Sequence, residues 1–327
     1  MMESGRKRGE LYVNPMTDYG FKLIFGDEVV MMAFLNDLLE PVSPIVSVEF
    51  VSQEVLPEVE SVRGVVYDVR CRTSDGHEFI VEMQNRPQTH LPERVVLYLS
   101  RAISAQRRRG ADVVFEDGCE KRVEWDFSLR PVYCIFFLNF RVRNDAPQAV
   151  RTVRLRVDET NEVFSEAVSA YILELPDYRR KSEGFCQTKI DSWLYNLANM
   201  NSMNTRESPF SDRQPAFKRM FNIAEIAKMS PDEAARYDIS FESWWVANDT
   251  YNTAQREGRE HGVAEGRAVG LAEGRAEGRA EGRRDANVAV VLNMFRRGLT
   301  EEDIASYSGI DLEQVREILL SSRLGEA

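Results

Sequence analysis

The chain has 327 residues, 43% apolar and 29% charged, with a formal net charge of −11. This is the composition of an ordinary soluble globular protein with one large domain or two smaller ones. The acidic balance excludes indiscriminate coating of nucleic acid, so any nucleic-acid site has to be a local basic patch. The four cysteines, Cys71, Cys119, Cys134 and Cys186, include no CxxC pair, which favours reduced thiols in a cytoplasmic protein. The longest apolar run, near residues 132–138, is too short to cross a membrane.

The opening MMESGRKRGELY is basic with no apolar run behind it, unlike a secretory signal, and residues 1–13 read as a mobile arm. Residues 18–39 place Phe21, Ile24, Phe25, Val29, Met32, Leu35 and Leu39 on one stripe and read as a single helix, ended by Pro41 and Pro44. Asp18 either caps that helix or supplies a carboxylate to a site; capping is the simpler reading. Residues 45–51 alternate as a strand does.

Residues 65–84, VVYDVRCRTSDGHEFIVEMQ, read as two strands around the turn Ser74-Asp75-Gly76, with glycine where a left-handed backbone is needed. That turn sets the register: Thr73 faces His77, Arg72 faces Glu78, Arg70 faces Ile80 and Asp68 faces Glu82. One face then carries Asp68, Arg70, Arg72, Glu78, Ile80, Glu82 and Gln84. The other carries Tyr67, Val69, Cys71, Phe79, Val81 and Met83, a core face. The β-carbons of Asp68 and Glu82 are expected about 5 Å apart, where like charges repel. Either the polar face is solvated, with Arg70 and Arg72 balancing the acids, or a hard cation neutralises the pair. The pattern alone favours the solvated face.

Pro92 suits the first turn of a helix running to about Arg109, with Val95, Val96, Leu99 and Ile103 inward. Residues 110–126 read as a loop. Residues 131–140 are nearly all apolar, as in a strand buried on both faces. A turn at 143–148, strands at 151–158 and 170–175, and a helix at 189–200 follow. Residues 200–214, rich in Asn, Ser and Met, read as an exposed loop. Short helices are expected at 215–228 and 231–236, and a long one from near Phe241.

That long helix enters a repeat. Glycine recurs every fourth residue from Gly258 to Gly282, mostly as Ala-Glu-Gly-Arg. Seven glycines cost an isolated helix up to ~7 kcal/mol, so the segment is either a helix with a partner or a flexible spacer. A helical reading puts the Glu and Arg rows about 160° apart. The rows then pair between chains better than within one, which implies a homodimer through the tail. Residues 286–322 read as three short helices spaced like a helix-turn-helix. The last carries Glu313 and Glu317 against Arg316, which suits a helical cap or dimer module better than a DNA reader.

The ordered set Asp18-Tyr19-Gly20-Phe21-Lys22 with Ile24-Phe25-Gly26, then Asp68, then Glu82-Met83-Gln84, then Arg94 and Tyr98, resembles the PD-(D/E)XK nucleases. In its Asp…Glu-x-Gln form it is similar to the Rpn-like family of recombination-promoting nucleases and transposases. The strand at 132–140 and the glycine-periodic tail share the likeness, which covers most of the chain. The resemblance implies an α/β, restriction-endonuclease-like core, a mixed sheet flanked by helices, with an all-helical C-terminal extension. Four parts are expected: an arm (1–13), the nuclease-like domain (14–240), the repeat helix (241–284) and a small helical module (285–327).

The family's activity would be Mg2+-dependent endonucleolytic cleavage of double-stranded DNA, tied to recombination or transposition. Asp68, Glu82 and the Met83 carbonyl would hold the metal. Gln84 stands where the superfamily usually has lysine; it can orient water but carries no positive charge. Lys22 or Arg94 would supply that charge, unless Lys22 simply lies on a solvated helix face. Arg94, Tyr98 and Arg101 share one helix face and suit phosphate contacts, although an inward structural Tyr98 is equally ordinary. His77, His90 and His261 show no zinc-ligand spacing. The alternative is a non-catalytic nuclease-fold protein that binds DNA or a partner. Gln84 and the acidic balance favour that alternative, and the opposed Asp68 and Glu82 favour the enzyme.

Overall fold

The hairpin lies inside a larger sheet in the computed structural model, which describes residues 10–51, 54–55, 65–66, 68–109, 113–116, 119–122, 128–142, 148–179 and 182–324. In chain order the elements begin with α1 (Asp18–Phe25), α2 (Glu28–Leu39), β1 (Val48–Phe50), β2 (Glu54–Val55), β3 (Val65–Val66), β4 (Val69–Thr73) and β5 (Glu78–Gln84). Then come α3 (Leu91–Arg109), β6 (Val113–Glu116), β7 (Cys119–Arg122), β8 (Val132–Leu138), β9 (Val150–Arg156) and β10 (Val163–Glu174). The helices α4 (Lys189–Asn199), α5 (Ala216–Ala224), α6 (Pro231–Arg296), α7 (Glu301–Ser308) and α8 (Leu312–Leu324) complete the described chain.

Six strands form one mixed sheet in the order β1-β4-β5-β8-β10-β9. The β1–β4, β4–β5 and β10–β9 pairs are antiparallel; β5–β8 and β8–β10 are parallel. A parallel pair needs a crossover, and α3 supplies it between β5 and β8. The sheet is therefore covered on both faces. On one face Ile80, Val132, Cys134 and Phe136 pack under Leu91, Val95, Tyr98 and Ala102 of α3. On the other, Val69, Cys71, Phe79, Val81, Ile135 and Phe137 meet α1, α2, α4 and α5. Phe137 has the rings of Phe25, Phe34 and Phe21 at 5.1, 5.3 and 5.7 Å. Phe34 passes the contact on to Trp193 at 5.4 Å, and Trp193 to Phe217 at 4.7 Å. This α/β core, a mixed sheet flanked by helices with a helical C-terminal region, is the arrangement that the resemblance implies.

Several sequence expectations are corrected. Residues 18–39 form two helices, because Gly26 ends α1 and the Asp27 side chain accepts from Val30 N–H to start α2. Val29 is consequently 44% exposed, and on α3 Val96 is 62% exposed. The strand expected at 45–51 is only β1, and residues expected to be a loop at 110–126 include the β6–β7 pair. Residues 10–13 are not an arm: Tyr12 and Val13 are buried, and Val13 N–H donates to the Ala224 carbonyl at 2.9 Å. Most of the turn expected at 143–148 lies outside the described residues. The 200–214 stretch buries Met200, Ser208, Phe210 and Ser211. Its Gln214 amide and the Trp193 indole both donate to the buried Asp37 carboxylate, at 2.5 and 2.9 Å. The helices expected at 231–236 and from Phe241 are one continuous α6, whose Gly258–Gly282 row has open space at each glycine.

The described chain divides into units 1–247 and 248–327. The second has its own small core of Val291, Ile304, Ile310, Val315 and Leu319. Thr300 caps α7, and Gly309 (φ +70°) forms the turn into α8. Arg316 is engaged by Glu301 at 3.0 Å, which leaves α8 without a free basic face there. Among the described residues no helix is long and apolar enough to cross a membrane. Cys71, Cys134 and Cys186 are buried free thiols.

Phe137 joins the sheet to three helices, so Phe137→Ala should cost about 3–5 kcal/mol. A urea-denaturation midpoint that falls correspondingly, followed by circular dichroism, checks this.

Candidate active site

The β4–β5 register is the one the turn dictates: Arg72 faces Glu78, Arg70 faces Ile80 and Val69 faces Val81. Gly76 adopts φ +86°, where a side chain would be strained, and its N–H donates to the Thr73 carbonyl. The ladder stops at Val69, and beyond it side chains replace backbone partners. Asp68 N–H donates to Glu82 Oε1 at 3.0 Å, and Met83 N–H donates to Asp68 Oδ2 at 2.8 Å. Each carboxylate is thus tied to the backbone of the strand that carries the other.

The polar face is not solvated. Helix α3 lies over it, and Arg70, Glu78, Glu82 and Gln84 are all buried. Arg70 is bound to Glu78, with Nε at 2.6 Å and Nη2 at 2.5 Å from Oε1, and Arg72 approaches the other Glu78 oxygen at 3.7 Å. Compensation for Asp68 and Glu82 comes from outside the hairpin. Arg94 of α3 places Nη2 3.6 Å from Glu82 Oε2. Lys22 of α1, held by Asp18 at 2.8 Å, also lowers the proton affinity of both carboxylates through its charge.

A hydrogen-bonded chain runs from the pair to α3. Gln84 Nε2 donates to Glu82 Oε2 at 3.3 Å, and Gln88 Nε2 donates to Gln84 Oε1 at 2.5 Å. Arg94 donates to Gln88 Oε1 at 3.2 Å and, through Nη2, to the Tyr98 hydroxyl at 2.6 Å. Tyr98 is buried and packs on Phe136, so it is structural as well as a partner of Arg94. Burial, reinforced by the Glu82 charge, pushes the Tyr98 hydroxyl up to about 12, which keeps it neutral. Arg101 lies further along α3, half-buried, and makes no hydrogen bond or ion pair with a described residue.

The cap of α1 is Thr17, not Asp18: Gly20 N–H donates to Thr17 Oγ1 at 3.0 Å. Gly20 is required there, since a Cβ would lie 2.4 Å from the Asn14 carbonyl oxygen. Asp18 is nonetheless near enough to raise the proton affinity of Asp68. Among the described residues no three His, Cys, Asp or Glu side chains cluster as metal ligands, so Asp18 does not complete a three-carboxylate set.

Burial, followed by the charge of Asp68, pushes Glu82 up to about 8; burial likewise raises Asp68. At neutral pH the pair therefore holds a proton. Two oxygen-rich side chains that retain a proton for want of opposing charge suit a hard divalent cation, which binds one or two carboxylates and completes its shell with water and phosphate. The donor set fits such an ion.

A family model described as PD-(D/E)XK nuclease family transposase matches residues 15–254. The chain belongs to this family. The match spans α1, the hairpin, α3, the rest of the sheet and the first turns of α6. Searches of curated proteins and of solved structures found no match. Membership makes the chain a nuclease-type protein related to transposition, and nucleases of this superfamily generally use divalent metal ions. Within this nuclease-family site the sequence reading missed Gln88 and the cap residue Thr17. A glutamine four residues after Gln84 was the available signal for the first.

The raised Glu82 has a consequence for the metal-free protein. The folded chain keeps a proton that an unfolded glutamate releases in its ordinary range, so stability falls as pH rises from that range to about 8, and levels off above it. The slope should approach ~1.4 kcal/mol per pH unit for one proton. Urea midpoints in EDTA across this range should show the decline, and Glu82→Gln should flatten it.

Proposed function

We propose that this chain is a Mg2+-dependent endonuclease that hydrolyses phosphodiester bonds in double-stranded DNA during recombination or transposition. The observation that carries the reading is the Asp68–Glu82 pair, Glu82 buried and Asp68 half-buried, each held by the backbone beside the other, with Arg94 aimed at Glu82 from the crossover helix. A Mg2+ ion bound by Asp68, Glu82 and the Met83 carbonyl supplies an acidified water and offsets charge growing on the phosphate. Gln84 orients the attacking water through its amide. Arg94 and Lys22 contribute the positive charge that lysine brings at the position of Gln84 elsewhere in the superfamily. Arg101, without a protein partner among the described residues, contacts the phosphate backbone further along the DNA, on the face of α3 that also carries Arg94 and Tyr98. The protein acts in the cytoplasm.

A rival reading, a nuclease-fold protein that binds DNA or a partner without cutting, draws on Gln84. Its amide is engaged at both ends, by Glu82 and by Gln88. Plasmid nicking across a Mg2+ titration separates the two. Asp68→Ala and Glu82→Ala should each lower nicking by about a hundredfold or more. Each variant leaves one backbone N–H of the hairpin without its carboxylate, so circular dichroism should confirm that the fold is retained before the loss of nicking is scored. Parental cutting by both variants would move the active site elsewhere. A parent that never cuts would favour the rival.

The tail assembles the protein as a homodimer. Support comes from the continuous α6, in which every glycine from Gly258 to Gly282 faces open space and no described group fills the row. Close backbone approach between two such helices lets the Glu and Arg rows pair across the interface. Deleting 258–282 should convert a dimer to a monomer in light scattering, and added salt should weaken the parent dimer. A parent that is monomeric at low salt leaves the repeat as a spacer.

A further inference from the structure

Directly beyond Gln84, Asn85 and Arg86 line a groove of about 560 Å3 with Asp18, Arg236, Ser240 and Trp244. The groove thus lies at the end of the strand that carries Glu82 and Gln84. Its walls are fixed by hydrogen bonds. Tyr19 N–H donates to Ser240 Oγ at 3.0 Å, joining α1 to α6. Asn85 Nδ2 donates to the Met16 carbonyl at 2.7 Å, and the Trp244 indole N–H reaches Asn85 Oδ1 at 3.4 Å.

Two arginines of the groove have polar atoms without a hydrogen-bond partner among the described residues. Arg86 has its Nε buried with no hydrogen-bond partner, and a buried guanidinium N–H without an acceptor is costly. Arg236, exposed on α6, makes no hydrogen bond or ion pair with a described residue. Asp18, the acid in the lining, is paired with Lys22 at 2.8 Å. The groove thus offers two arginines and a positioned, partly exposed indole. Arginines suit phosphate, and an indole suits the face of a base. A volume of this size takes one ligand of nucleotide dimensions rather than a stacked duplex.

We propose that this groove receives an unpaired nucleotide of the DNA next to the scissile phosphate, with its phosphate on Arg86 and Arg236 and its base against Trp244. This rests on the nuclease reading, because Asn85 and Arg86 continue the strand that carries Glu82 and Gln84. The substrate class it selects is duplex DNA that carries, or is opened to give, an unpaired nucleotide at the cut.

The test is binding in EDTA, read by fluorescence anisotropy, so that cutting plays no part. The probes are a fully paired duplex and the same duplex with one unpaired thymidine. The parent should bind the second about tenfold more tightly. Trp244→Ala and Arg236→Ala should each remove that preference, and Trp244→Phe should keep most of it. Arg236 lies on an exposed helix face, so its variant is not confounded by misfolding; melting temperatures control for the tryptophan variants. A parent without the preference, or one that binds neither probe, overturns the proposal, as does an undiminished preference in both alanine variants. Plasmid nicking is scored separately. Nicking without the preference overturns the groove and leaves the nuclease reading; the preference without nicking supports the groove and overturns catalysis.

Discussion

Two carboxylates forced together in a buried place are the constraint around which the first unit is arranged. Asp68, half-buried, and Glu82, buried, meet where the β4–β5 ladder ends, each bound by the backbone beside the other, and like charges so close destabilise. Three devices hold them there. The strand ladder ends one residue early, so that backbone N–H groups of Asp68 and Met83 bind the opposing carboxylates. The neighbouring Arg70 is drawn to Glu78, at 2.5 Å. The remaining compensation arrives from α1 and α3, through Lys22 and Arg94, and is only partial.

Partial compensation is what distinguishes a site from a salt bridge. A fully neutralised carboxylate gains little from a cation, whereas one that retains a proton at neutral pH can exchange it for a metal. Arg94 fits this intermediate role. Its guanidinium is shared among Glu82, Gln88 and Tyr98, and it approaches Glu82 at 3.6 Å rather than in a close bidentate pair. The aromatic cluster around Phe137, on the opposite face of the sheet, supplies packing that can offset the repulsion held on this one.

Much of this was legible in the sequence, and the gaps have physical causes. The hairpin register followed from strict alternation and a glycine that the turn requires, so the opposed pair was located to the residue. The burial of its polar face was not, because Arg70, Glu78 and Gln84 look like surface residues until a helix distant in sequence lies over them. The break at Gly26-Asp27 was hidden by an apolar stripe that continues through it. The 200–214 stretch reads as solvated because it is polar, yet its hydroxyls and amides find protein partners, such as Ser208 on Asn196 and Gln214 on Asp37. The length of α6 was obscured by glycines, whose low helix propensity does not prevent a continuous helix there.

The cations that steady the carboxylate pair come from α1, before the hairpin, and from α3, which leads into the parallel strand β8. A nascent chain that has formed only the hairpin holds the two acids without either cation or the covering helix. Assembly of the centre is thereby tied to closure of the β5–α3–β8 crossover, a non-local step. Fragments and half-folded chains carry the two acids without the charges and the helix that steady them.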